Sequence, residues 1–364
     1  MTRPVVALLT GGRSGGAFAR IPAWLTEGFK DLGIRFDVVY LDGPAGSTED
    51  GSTRTIKLGT ERATRSVGAW SRYLAEEKPR LAIASPESLA PYALVAGVRA
   101  KTPVVVPWET SFATFGLKDF PLERRLTLPT MQRLTYPRAP WIAAVSRDVA
   151  IDLDQRMTGG AQPERYRVVP NPFVPDPEEG RAAPPHRGRL RFCAIGRLTV
   201  HKGFDVLIEA LARLVGQGRD VELLVVGDGP RKDDLQRQAN ERGLADRVEF
   251  VGEIRHPSAT MRSADVLVHP ARREGFGLVI VEALAAGIPV IATTCPGGPK
   301  DILDGGRFGA LVAPDDPDAL ADEMARFQDD SELRGRFAVD GPKRVEAYRP
   351  ESIARLLTEL AETT

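Results

Sequence analysis

Cysteine is nearly absent. Cys193 and Cys295 are the only two in 364 residues, which excludes a disulfide framework and a thiolate metal cluster. Histidine is almost as scarce. His186, His201, His256 and His269 show no metal-ligand spacing, and none falls in residues 1–185. No apolar run reaches the ~18 residues of a membrane span. The first residues form an apolar strand rather than the charged-then-apolar order of a secretory leader. The expectation is therefore a soluble cytoplasmic protein. A dinucleotide fingerprint is missing too. Gly11-Gly-Arg-Ser-Gly-Gly16 follows the first strand, but the G-x-G-x-x-G spacing fails and no Gly-Lys-Ser/Thr closes it as a P-loop. That disfavours a nicotinamide oxidoreductase. Net charge is absent as well, 49 Lys and Arg balancing 49 Asp and Glu, so nothing marks the chain as a nucleic-acid binder.

The halves differ within that balance: residues 1–175 carry 23 Lys and Arg against 17 Asp and Glu, and the remainder 26 against 32. Scatter over solvated faces explains this, as does an amino-terminal half that meets an anionic acceptor or a membrane surface. Residues 117–141 mix Arg124, Arg125, Arg133 and Arg138 with Leu, Phe, Tyr and Trp. They read first as the charged outer face of a domain helix, with peripheral contact to an anionic membrane as the alternative.

The length suits two domains. Strand and helix patterns alternate throughout. Residues 4–10, 35–41, 80–85, 103–107 and 141–145 read as strands, with helices expected at 18–32, 61–77 and 88–100. This alternation implies parallel sheets covered on both faces. Pro170-Asn171-Pro172 opens a Pro- and Gly-dense stretch to about Gly188, the expected linker. The predicted organisation is thus a first domain over 1–170, a linker over 171–188, a second domain over 189–348 and a final helical segment over 349–364.

Chemistry concentrates in the second half. After the 191–195 strand come Arg197 and Lys202, two cations at a strand–helix junction beside a helix N-terminus, which make an anion site. The stretch 264–303 reads strand, polar loop, helix, strand, glycine turn, helix. Glu274 lies in its loop and Glu282 in the helix that follows. Gly275 and Gly277 remove side chains where a ligand approaches backbone. Carboxylates accept from sugar hydroxyls and first-turn amides donate to oxygens, so the layout suits a polyhydroxylated ligand that carries phosphate.

Five pieces in order resemble one family. They are Val168-Val-Pro-Asn-Pro172, Gly196-Arg197-Leu-Thr-Val-His-Lys202-Gly203, Glu274-Gly-Phe-Gly-Leu-Val-Ile-Val-Glu282, Ala283-Leu-Ala-Ala-Gly-Ile-Pro289 and Cys295-Pro-Gly-Gly-Pro299-Lys-Asp-Ile302. Together they resemble retaining glycosyltransferase family four, with its E-x7-E motif. The resemblance is dense over about 190–315 and thinner before.

It implies a GT-B α/β fold of two doubly wound Rossmann-like domains facing a central cleft, with the last helix crossing back to the first domain. It also implies sugar transfer from a nucleoside diphosphate sugar to a hydroxyl acceptor, without metal or cofactor. By the same resemblance Arg197 and Lys202 hold the diphosphate, Glu282 the ribose, and Glu274 the donor sugar. The backbone around Gly275, Phe276, Gly277 and Leu278 holds sugar hydroxyls. Gly15 and Gly16 face the donor phosphates and the acceptor, Gly196 opens the diphosphate-binding string, Gly227 and Gly229 approach the donor phosphates or the base, and Val251 ends a strand beside the base. The family's first-domain histidine is missing. Glu109, after the 103–107 strand, is the substitute candidate. The Cys295-Pro-Gly-Gly-Pro299 string resembles users of UDP-sugars. The alternatives are an epimerase or hydrolase of nucleotide sugars on the same fold, and a non-catalytic nucleotide-sugar-binding module.

Overall fold

A computed structural model describes residues 5–11, 20–42, 46–47, 52–60, 62–102, 105–109, 122–175, 189–254 and 258–363. Contacts divide the chain into two compact units, Met1–Val174 with Ala347–Thr364, and Pro175–Glu346.

The first unit holds β1 (Val5–Thr10), β2 (Arg35–Tyr40), β3 (Gly46–Ser47), β4 (Thr53–Lys57), β5 (Leu81–Ala84), β6 (Val105–Glu109), β7 (Ile142–Ala144) and β8 (Tyr166–Val168), in the order β3-β4-β2-β1-β5-β6-β7-β8. All pairs are parallel except β3 with β4. β1 (VVALLT) is buried along nearly its whole length, as a strand covered on both faces requires. The helix expected from Phe18 begins at Ile21, with Pro22 in its first turn, where a missing N–H costs nothing.

No apolar pattern announces β4, whose sequence TRTIK has one aliphatic residue. A buried charge fixes it instead. Asp37 in β2 is fully buried and accepts from Arg54 Nε of β4 at 3.2 Å and from Tyr73 Oη at 2.7 Å. Glu77 closes the cluster by pairing with Arg54 at 2.9 Å and with Arg35.

Residues 171–174, expected in the linker, belong to the first unit. Asn171 and Phe173 are buried. The Phe173 ring meets Trp24 edge-on at 5.7 Å, and its N–H donates to the Tyr348 carbonyl at 2.7 Å. That bond draws the chain back at Ala347. The helix Pro350–Glu362 then buries Ile353, Ala354 and Leu357, packing on Ile21–Asp31 of the same unit.

The second unit is a parallel sheet of β9 (Leu190–Ile195), β10 (Val221–Val226), β11 (Val248–Gly252), β12 (Val266–His269), β13 (Val290–Thr293) and β14 (Ala310–Val312), in the order β11-β10-β9-β12-β13-β14. The helix Phe204–Gly216 lays Leu207, Ile208, Leu211 and Leu214 on the sheet at helical spacing, all fully buried. Burying a leucine-sized side chain contributes roughly 1.5–3 kcal/mol, so this face anchors the helix and the loop that enters it. Among the described residues no helix is long and apolar enough to cross a membrane.

Candidate functional site

In the second unit the chain starts on β9, moves to β10 on one side, then returns to β12 on the other. The loops leaving β9 and β12 therefore diverge from neighbouring strand ends, the switch point where open parallel sheets take ligands.

Backbone bonds knit the loops on one side of that point. Gly196 N–H donates to Val226 at 2.9 Å, Leu198 N–H to Asp228 at 2.9 Å, and Gly227 N–H to Gly252 at 2.8 Å. A Cβ on Gly227 would lie 2.0 Å from the Gly196 carbonyl oxygen, so only glycine fits there. Gly229 abuts the Leu198 backbone in the same way.

Across the switch point Lys202 and Glu274 meet. Lys202 closes a single 3-10 turn, Val200–Lys202, which runs through Gly203 into Phe204–Gly216. Its Nζ donates to Glu274 Oε2, with the two side chains only 18 % and 15 % exposed. On the other flank of the carboxylate stands His269, at the end of β12. It is buried, with Nε2 3.2 Å from the same Oε2, close but without the in-line geometry of a full hydrogen bond. Burial keeps the imidazole below its ordinary pKa; contact with Glu274 opposes this and the Lys202 charge reinforces it, leaving the ring neutral near pH 7. Burial pulls the Glu274 carboxyl up, but the Lys202 charge and the His269 contact outweigh it and hold the group well below the usual carboxylate range.

His269 belongs to none of the strings that mark the other candidates. Its one signal in the sequence is a polar residue closing an otherwise apolar strand, V-L-V-H, five residues before Glu274.

The backbone of Glu274 is fixed by the glycine turn after β13. Glu274 pairs with Gly297 in an isolated parallel bridge, and its N–H donates to Pro296 at 3.0 Å. A Cβ on Gly297 would fall 1.5 Å from the Glu274 carbonyl oxygen, and φ there is +130°. Phe276 is buried, and its carbonyl lies against Gly298. Gly275 continues the loop to Gly277, which caps the helix Leu278–Ala285 with no side-chain bond; no acid stands in the first turn. The first-turn amides therefore have no side-chain acceptor from this cap.

Of the other candidates, Gly196 lies beside the Lys202 side chain and Gly277 beside that of Glu274. Arg197 follows Gly196, is exposed, and makes no ion pair with the described residues. Glu282 is half-buried on the helix Leu278–Ala285. Val251 lies in β11, two strands from β9, about 10 Å at ordinary strand spacing. Gly15 and Gly16 lie outside the described residues. Glu109 ends β6 of the first unit, and its side chain is likewise outside them.

Residues 177–344 match the family described as glycosyl transferases group 1. The second unit belongs to this family. Alpha-D-kanosaminyltransferase of Streptomyces kanamyceticus is 36 % identical over 146 residues, 40 % of this chain and 38 % of that protein. The 2-deoxystreptamine glucosyltransferase of the same organism is 31 % identical over 262 residues, 66 % of each. The matches span about two fifths of the length of most of these curated relatives. Among solved structures, Anabaena Alr3699/HepE in complex with UDP superposes with a TM-score of 0.75 at 21 % identity, over 99 % of this chain and 100 % of that one. The fold class is GT-B: two Rossmann-like α/β units.

Proposed function

We propose that this chain is a retaining glycosyltransferase that moves a sugar from a nucleoside diphosphate sugar, with UDP as the nucleotide, to a hydroxyl acceptor. The observation that carries the reading is the meeting of Lys202 and Glu274 at the switch point, beside an open helix N-terminus. A donor of this class needs cations for its diphosphate and carboxylates for its hydroxyls, and these loops offer both. That relatives carry glycosyltransferase names and a structure of the same fold holds UDP supports the choice.

In the proposed reaction the bond between the anomeric carbon and the diphosphate oxygen breaks. The acceptor oxygen bonds to that carbon on the face being vacated, and the acceptor proton passes to the departing phosphate oxygen. Arg197 and Lys202 stabilise the diphosphate charge as it develops. In many enzymes, stabilising the charge that develops in the transition state supplies more of the rate enhancement than any other effect. Glu282 accepts from the ribose hydroxyls, and Glu274 orders the sugar.

The test is calorimetric titration of the chain with UDP, GDP and ADP, then incubation with UDP-sugars and an acceptor panel, with NMR of the product anomer. Tight UDP binding and a product of unchanged anomeric configuration are expected. An inverted product removes the retaining assignment. Consumption of donor to an epimer without acceptor favours an isomerase on this fold.

A further inference from the structure

Two residues before Glu274, Arg272 fastens the loop of β12 to the turn that carries Lys202. Its backbone N–H donates to the His201 carbonyl at 2.8 Å. Its guanidinium Nη1 donates to the Val200 carbonyl at 2.6 Å and to Asp205 Oδ1 at 2.8 Å, while Nη2 donates to Asp205 Oδ2 at 2.8 Å. Nε donates to Asp315, on the loop after β14. Arg272 therefore holds the residue two before Lys202, the residue just before it, and the residue three after it. The Asp205 contact is a bidentate fork, which fixes orientation as well as distance. The Arg272 side chain is 23 % exposed and that of Asp205 31 %, so the pair is partly shielded from water.

We propose that Arg272 is a positioning residue for the diphosphate end of the donor site, acting through Lys202. This rests on the donor reading given above. The physical ground is the shape of the Lys202 turn. A single 3-10 turn has few internal bonds of its own, so its place is set by what grips it from outside. Arg272 grips it on both sides and is continuous with the loop that presents Glu274. Loss of the guanidinium leaves Lys202 its charge but releases the turn that aims it. Arg272 itself need not touch the ligand. Its fork is already committed to Asp205 and Val200, and Asp315 takes the remaining edge.

The experiment is a mutant cycle on the full chain, read by calorimetric titration with UDP at a temperature where every variant is folded. Arg272→Met is expected to weaken UDP binding about tenfold, which is 1.4 kcal/mol. In the Lys202→Ala background the same change is expected to cost less than about twofold, because coupled residues lose additivity. Arg272→Lys, which keeps charge but not the fork, should recover only part of the affinity. A residue serving fold stability alone lowers the melting temperature and leaves the UDP Kd of the folded protein unchanged. That result overturns the proposal, as does an equal loss in both backgrounds. Should Arg272→Met fail to fold, or Lys202→Ala bind too weakly to measure, Asp205→Asn carries the test with Arg272→Lys: each weakens UDP binding, and the double variant loses no more than the weaker-binding single. Full additivity there refutes the shared grip. A wild-type chain that binds no nucleoside diphosphate overturns the donor reading and this one with it. Wild-type binding with an indifferent Arg272 overturns the positioning role alone.

Discussion

The contact between Lys202 and Glu274 makes a prediction that needs no knowledge of the ligand. Two unit charges about 4 Å apart interact by about 4 kcal/mol at an effective dielectric of 20. Side-chain exposures of 18 % and 15 % leave some of that to water, so we expect a coupling of about 2 kcal/mol, inside the range for residues in contact. The perturbations are Lys202→Ala, Glu274→Gln and the double variant. Each single change strands a half-buried group, and the double change removes both; the coupling is the difference. Far-UV circular dichroism during urea unfolding is the readout, because all four tryptophans lie in the first unit and report on that unit instead. A coupling below about 0.5 kcal/mol, the limit of ordinary additivity, refutes the ion pair.

The pH arm follows from linkage. The folded Glu274 carboxyl titrates below its ordinary 4.5, so its contribution is fully present above pH 4.5 and is lost as pH falls through the folded value. His269 acts earlier. Held neutral by burial when folded, it costs stability once the unfolded chain begins to protonate below 6.5. Coupling between Lys202 and Glu274 should therefore survive to pH 5 while total stability already declines.

Other consequences are separable. Glu282→Ala should weaken UDP binding tenfold or more, since each charge-assisted hydrogen bond to a hydroxyl contributes roughly 1.5–3 kcal/mol; titration within twofold of wild type contradicts the ribose assignment. Glu109→Ala should lower transfer at least about tenfold, the loss of one hydrogen bond to a charged group at roughly 1.5–3 kcal/mol, and an unchanged rate in the UDP-sugar assay removes it from the site. Asp37→Asn should destabilise the first unit by about 3 kcal/mol, the cost of breaking a buried ion cluster, seen as an earlier tryptophan transition. The same variant should leave UDP affinity untouched, since among the described residues the polar partners of Asp37 are Arg35, Arg54 and Tyr73, all in the first unit.

The doubly wound architecture was legible because it is written in local periodicity. Strands such as VVALLT and VELLVV are apolar without interruption, and Phe204–Gly216 repeats its buried leucines every three to four residues. β4 was not legible. Its place beside β2 depends on one arginine reaching one buried aspartate, and neither residue type signals a strand alone. The first unit's claim on Phe173 was hidden likewise. A Pro-Asn-Pro string reads as a linker until its aromatic neighbour is seen to pack on Trp24.

The same contrast runs through the candidate site. Arg197, Lys202, Glu274 and Glu282 could be named because each sits in a recognisable string. The touch between Lys202 and Glu274 could not, since the sheet order β9-β12 brings together loops far apart in the chain. His269 and Arg272 were invisible for a further reason: each acts by facing a partner across that same junction, and a lone histidine at a strand end or an arginine in a loop is ordinary. What the fold adds is a ranking among cations. Lys202 is half-buried and bound to an acid, Arg272 is committed to Asp205 and Asp315, and Arg197 is exposed and makes no ion pair with the described residues. If the donor reading holds, an incoming diphosphate meets Arg197 without displacing an ion-pair partner among the described residues, but must compete with Glu274 for Lys202. Under the proposed function, binding begins at Arg197 and completes at Lys202. Arg197→Ala should then slow UDP association more than Lys202→Ala does, while Lys202→Ala should chiefly speed release. Stopped-flow traces in which both changes act on the same rate constant would refute that order.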